Sequence, residues 1–64
     1  MMKFSVTWYV CEYLGNGIWK PISFEHWDEA GAMEDCKRLF SNRDKNLPSI
    51  GVIDSDYLVE IGML

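Results

Sequence analysis

No apolar run in this sequence approaches the roughly 20 residues that a membrane-spanning helix requires. Nor does the start carry the apolar stretch of a secretory signal, because Met1-Met2-Lys3-Phe4 leads straight into an alternating segment. The expectation is therefore a cytoplasmic protein with no membrane partner. Cysteine is scarce: Cys11 and Cys36 stand alone, without a CxxC pair. That is too few for a disulfide scaffold, and the spacing is wrong for zinc. Both sit in apolar patterns and are read as reduced thiols serving as small hydrophobes. Histidine occurs once, at His26, so any histidine-based chemistry would have to centre there. Basic residues are outnumbered, six Lys and Arg against ten Asp and Glu, for a net charge of −4. Direct nucleic-acid binding runs on Lys and Arg contacts to phosphate and is disfavoured.

What the sequence does have is apolar and aromatic side chains. Hydrophobic residues make up 48% and aromatics 14% of the 64 residues, which argues for one folded domain over 1–64 rather than for disorder. A chain this short buries only about 60% of the surface its unfolded form exposes. Some aromatics must then reach the surface, and an exposed aromatic cluster is a candidate interface.

Residues 3–14 are rich in β-branched and aromatic side chains and alternate at period two, which predicts a long strand. Phe4, Val6, Trp8 and Val10 fall on a core face. Ser5, Thr7, Tyr9, Cys11 and Tyr13 fall on a half-wet one. Gly15-Asn16-Gly17 tolerates the positive φ of a tight hairpin turn. Residues 18–24 should return antiparallel, and Pro21, which lacks a ladder donor, places them at an edge or at a bulge. By parity Ile18, Ile22 and Phe24 face the core. Trp19 has the opposite parity and joins Tyr9 and Tyr13 in an outer aromatic patch.

Residues 24–40 predict the chain's main helix. His26 and Glu29 have capping-box spacing, but His is a poor cap, and Asp28 is the alternative start. Asp28 and Glu29 lie near the positive end of the helix dipole and Lys37 and Arg38 near the negative end. Ala30, Met33, Cys36 and Phe40 form the expected apolar stripe, flanked by Ala32 and Leu39. Glu34 and Asp35 should face solvent. Asn42 suits a left-handed helix end. Residues 49–54 predict a third strand. Ser55-Asp56 then reads as a turn into a fourth strand over 57–64, or as a bulge in one bent strand. The expected fold is α+β: a two-layer ββαβ(β) domain with one helix packed on one face of a mainly antiparallel sheet. One helix leaves the other face open to solvent or to a partner.

The catalytic inventory is thin. His26 lies among Glu25, Asp28 and Glu29, yet a lone histidine at a helix start is usually a cap or a surface residue. A Cys–His pair with Cys36 fails on distance, because Cys36 would lie about 15 Å along the same helix at 1.5 Å per residue. Asp54-Ser55-Asp56 lacks the glycine and the later glutamate of a calcium loop. No catalytic, cofactor or metal site is expected.

The carboxylates of Glu25, Asp28, Glu34 and Asp35 are either a solvated helix face or an acidic surface that docks on a basic groove. In size and pattern only, the chain is similar to small accessory proteins of phages and mobile elements that inhibit host machinery. The expected function is a non-enzymatic protein-binding module, an inhibitor or regulator of a larger host protein. Tyr9, Tyr13 and Trp19 are its candidate contact residues, backed by Glu25, Asp28, Glu34 and Asp35. Self-association through the uncovered sheet face is one form of this. The alternative is an acidic nucleic-acid mimic that occupies a basic nucleic-acid-binding groove.

Overall fold

The computed structural model describes residues 6–64; the expected core residue Phe4 and its neighbour Ser5 lie outside them. The chain runs through β1 (Trp8–Gly15), β2 (Ile18–Pro21), α1 (Glu29–Ser41), β3 (Ile50–Asp54) and α2 (Ser55–Glu60). The strands form one sheet in the order β2-β1-β3, with both pairings antiparallel. The α+β class, with a helix packed on an antiparallel sheet, is as expected.

Local chemistry accounts for the hairpin. Asn16 and Gly17 take φ of 56° and 78°, and positive φ at both central positions matches the twist of the flanking strands. The register shifts between Tyr13 and Gly15, so Leu14 bulges out. Pro21 ends β2 at the outer edge of the sheet, the position its missing N–H allows.

Residues directly opposite in an antiparallel ladder share a face. Val10 opposite Val52, with Glu12, defines one face. Cys11 opposite Gly51, with Tyr13 opposite Trp19 and Tyr9 opposite Ile53, defines the other. The helix α1 packs over β1 and β3 on the Val10 face, where Arg43 just beyond it pairs with Glu12 at 2.7 Å. Its inward residues are Ala32, Cys36 and Leu39, whereas Ala30, Met33 and Phe40 are exposed. The apolar stripe is thus rotated from the expected one. Asp28 is the N-cap, its carboxylate accepting from Gly31 N–H at 2.8 Å. Starting the helix there turns the small Ala32 toward the sheet and leaves the larger Met33 and Phe40 at its flank. A Cβ at Gly31 would stand 2.9 Å from that carboxylate oxygen, so the glycine keeps the cap intact. At the other end Asn42 caps with φ of −102°, not in the left-handed region, and its amide donates to the Arg38 carbonyl.

The expected fourth strand is the helix α2. Asp54 caps its start by accepting from Tyr57 N–H at 3.1 Å. Gly62, with φ of 81°, closes its end, where Met63 N–H donates to the Leu58 carbonyl and Gly62 N–H to that of Val59. This pair of bonds is the glycine-closed helix end known as the Schellman motif. The second helix covers part of the face expected to be open. Tyr57 Oη donates to the Gly17 carbonyl at the hairpin tip, and Leu58 is fully buried. Thr7 and Cys11, expected on a half-wet face, are buried, and Thr7 is bonded to Ser55 at the start of α2.

Both thiols are free. Burial pushes the Cys11 thiol from its ordinary 9.0 up to about 11, so the folded state keeps a proton that the unfolded chain gives up. Stability that is fully present below pH 9.0 is then lost as pH rises to about 11, by at most about 2–3 kcal/mol. Urea denaturation across that window should show a steeper alkaline loss for the native chain than for Cys11→Ala. Equal slopes would mean that Cys11 titrates alike in both states.

Candidate protein-binding surface

The connection between β2 and α1 is where sequence and structure part most usefully. β1 pairs with this segment at Cys11–Pro21 and again at Trp8–His26. Between those pairs β1 spends Tyr9 and Val10, while the second segment spends Ile22, Ser23, Phe24 and Glu25. The surplus must loop out. Ser23 holds the detour in place, its hydroxyl accepting from Val10 N–H at 2.9 Å and donating to the Phe24 carbonyl. The alternation therefore breaks after Pro21. Ile22 and Phe24, expected in the core, are exposed, and Phe24 is 89% exposed. Trp27, which precedes the Asp28 cap and so has no helical neighbours beneath it, is 77% exposed.

His26 sits between these two aromatics and points inward. Its backbone makes both bonds of the bridge to Trp8, at 2.8 and 2.9 Å. Its Nε2 lies 3.4 Å from an oxygen of Asp35, which also pairs with Arg38. Its Nδ1 is buried without a hydrogen-bond partner among the described residues. Asp35 was expected in solvent and is instead half-buried against this ring. The distance argument against a His26–Cys36 pair also falls, since His26 precedes the helix and folds back on its middle. No hydrogen bond joins the ring to a serine, threonine or cysteine among the described residues. Burial, and then the Asp35 charge, push the Cys36 thiol up, which works against a reactive thiolate. Among the described residues no group of three or more His, Cys, Asp or Glu could hold a metal. No helix among them is long and apolar enough to cross a membrane.

Phe24, His26, Gly31, Glu34, Asp35 and Arg38 line one shallow hollow. Glu34 on its wall and the neighbouring Glu25 and Asp28 are exposed. The acidic residues read from the sequence therefore stand beside Phe24, which parity assigns to the interior, and Trp27 is exposed next to the Asp28 cap. The signal was present: Pro21 followed by Ser23 interrupts a strand, and an Asp28 cap leaves Trp27 outside the helix. No family model, curated protein or solved structure matches this chain.

The other candidate contact residues lie elsewhere, on the sheet face turned away from α1. The Tyr13 and Trp19 rings meet with centroids 4.8 Å apart at 47°. Tyr13 Oη accepts from Gly17 N–H at 3.0 Å, and Trp19 lies over Gly51, 3.4 Å from where a Cβ would stand. Tyr9 is half-buried opposite Ile53. These rings are engaged in holding the hairpin, whereas Phe24 and Trp27 project.

Proposed function

We propose that this chain is a non-enzymatic protein-binding module, a small inhibitor or regulator of the phage or mobile-element kind, acting in the cytoplasm on a larger host protein. The reading rests on one observation: two large aromatics within four residues of each other are both more than three-quarters exposed, next to the exposed carboxylates of Glu25 and Asp28. Desolvated aromatics carry most interface energy, and rim charges steer encounter and select partners. A fitting partner has an apolar cleft rimmed by Lys and Arg. Phe24 and Trp27 fill the cleft, and Glu25, Asp28 and Glu34 meet the rim. Tyr13 and Trp19 act from within by shaping the hairpin.

A nucleic-acid mimic is the second reading, favoured by the carboxylates gathered at one end of α1. Salt separates the two, because a mimic loses affinity steeply as salt rises while an aromatic anchor does not.

The test is a pull-down from the native host, with affinity then measured for the captured protein. Phe24→Ala with Trp27→Ala should weaken binding on the order of a hundredfold, as expected when hot-spot aromatics are truncated. Glu25→Lys with Glu34→Lys should chiefly slow association. Undiminished binding by the aromatic double variant, with loss on Tyr13→Ala or Trp19→Ala, would move the interface to the hairpin.

A further inference from the structure

The two edges of the sheet are unequal. In β1 the odd residues bond to β3, as shown by Tyr13 N–H to the Ser49 carbonyl and Ser55 N–H to the Thr7 carbonyl. Alternation along an antiparallel ladder then turns the backbone of Ile50 and Val52 outward. The same counting turns Trp19 and Pro21 outward on β2, and Pro21 has no N–H to offer. Lys20 is exposed beside it, and the register breaks just after it. Proline, lysine and irregularity are the usual protections of an edge. Ile50-Gly51-Val52-Ile53 has none of them. No hydrogen bond engages the outward N–H and C=O groups of Ile50 and Val52 among the described residues.

Beside this open edge runs a groove of about 390 Å³ between α1 and β3, lined by Glu29, Met33, Lys37, Phe40 and Val52 among others. Met33 is 47% and Phe40 68% exposed. We infer that the occupant of this edge is a second copy of the chain, joined β3 to β3 in antiparallel fashion about a two-fold axis through Val52.

Three features fit a copy. The register is self-complementary. Val52 opposes Val52 of the second copy with both outward groups aligned, and Ile50 opposes the other copy's Asp54 with no like charges facing. The spacing also closes. Strands lie about 4.8 Å apart, and α1, seated over both β1 and β3, lies about one strand spacing from the axis. The two α1 helices would then run side by side about 10 Å apart, at the upper end of the 8–10 Å of packed helices. Finally, the axis makes them antiparallel. Each acidic first half then meets a basic second half, Glu29 near Lys37 of the other copy, and Met33 and Phe40 of both chains are covered.

The inference uses no residue of the Phe24–Trp27 surface and stands or falls apart from it. Sedimentation equilibrium on the full chain should give twice the chain mass. Val52→Pro removes an outward donor and no bond of the internal ladder, so the sheet stays while the dimer is lost. If circular dichroism shows that this variant is misfolded, Lys37→Glu carries the test from the exposed helix flank. It should weaken dimerisation about tenfold, and adding Glu29→Lys should restore it. Phe24→Ala with Trp27→Ala should leave the dimer unchanged. A monomer at every concentration overturns the inference. So does a dimer indifferent to Lys37→Glu, or one lost with the aromatic pair.

Discussion

Leu58→Ala should cost about 2–5 kcal/mol and lower the melting temperature by roughly 10–30 °C. Leu58 is fully buried and sits on the six-residue helix α2. Removing a buried leucine loses its transfer free energy and leaves a cavity. At about 0.05–0.15 kcal/mol per residue, a chain of this size has only some 3–10 kcal/mol of stability in all. One side chain therefore carries a large share of it, and a small domain shifts about 4–8 °C for each kcal/mol. The consequence is local as well as global. A six-residue helix cannot persist alone in water, so without its anchor α2 should leave the sheet and uncover Cys11 and its aromatic neighbours. Dye binding and labelling of the Cys11 thiol under native conditions should both rise. Val59→Ala, one residue along but 60% exposed, is the control and should stay within about 0.5 kcal/mol of the native chain. A Leu58→Ala loss as small as that would mean α2 is no part of the cooperative core.

Arg43→Ala is the second substitution with a large expected effect, about 2 kcal/mol. The Arg43 guanidinium donates to Glu12 at 2.7 Å and to the Pro48 carbonyl at 3.0 Å. The two side chains are only 16% and 21% exposed. This is more than a surface pair, which contributes about 0–1 kcal/mol, and less than a fully buried one, whose breakage costs about 3–5 kcal/mol. Truncation leaves the Glu12 carboxylate half-buried without its cation and strips the Pro48 carbonyl of a donor. The polar loop from Asn42 to Pro48 is tied to β1 through this contact, so limited proteolysis should cut there faster in the variant. Replacing both partners, Glu12→Leu with Arg43→Leu, should recover most of the loss, since no lone charge remains. A coupling below about 0.5 kcal/mol in the double-mutant cycle would show the pair to be energetically idle.

The open β3 edge and the Phe24–Trp27 surface have a common origin in size. A chain of 64 residues, with two helices among those described, cannot cover its sheet, its edge and all its aromatics at once. Where cover runs out, apolar groups stay exposed, and each such place is a candidate contact. The two places differ in kind. The edge offers a repeating backbone that its own copy matches, whereas exposed aromatics beside carboxylates match a cleft of different shape and opposite charge.

Short-range chemistry was legible in the residues. Asn16-Gly17 can form its turn in isolation because positive φ is a property of those two residues. Pro21 marks an edge because it has no N–H wherever it stands. Asp28 can cap a helix because its side chain reaches its own backbone. The Asp54 and Gly62 caps of α2 are equally present in the residues, but Tyr-Leu-Val-Glu-Ile suits either a strand or a helix at that length. Tertiary structure alone decided the rest. Whether Phe24 pointed in or out depended on how many residues lay between two rungs of the ladder, which pairing with β1 sets. Whether Met33 or Ala32 met the sheet depended on the residue at which α1 began. Whether the second face was bare depended on α2 folding back to reach Gly17. Local preferences are properties of neighbouring atoms and can be read along the chain, but register, helix rotation and cover are properties of contacts between distant segments.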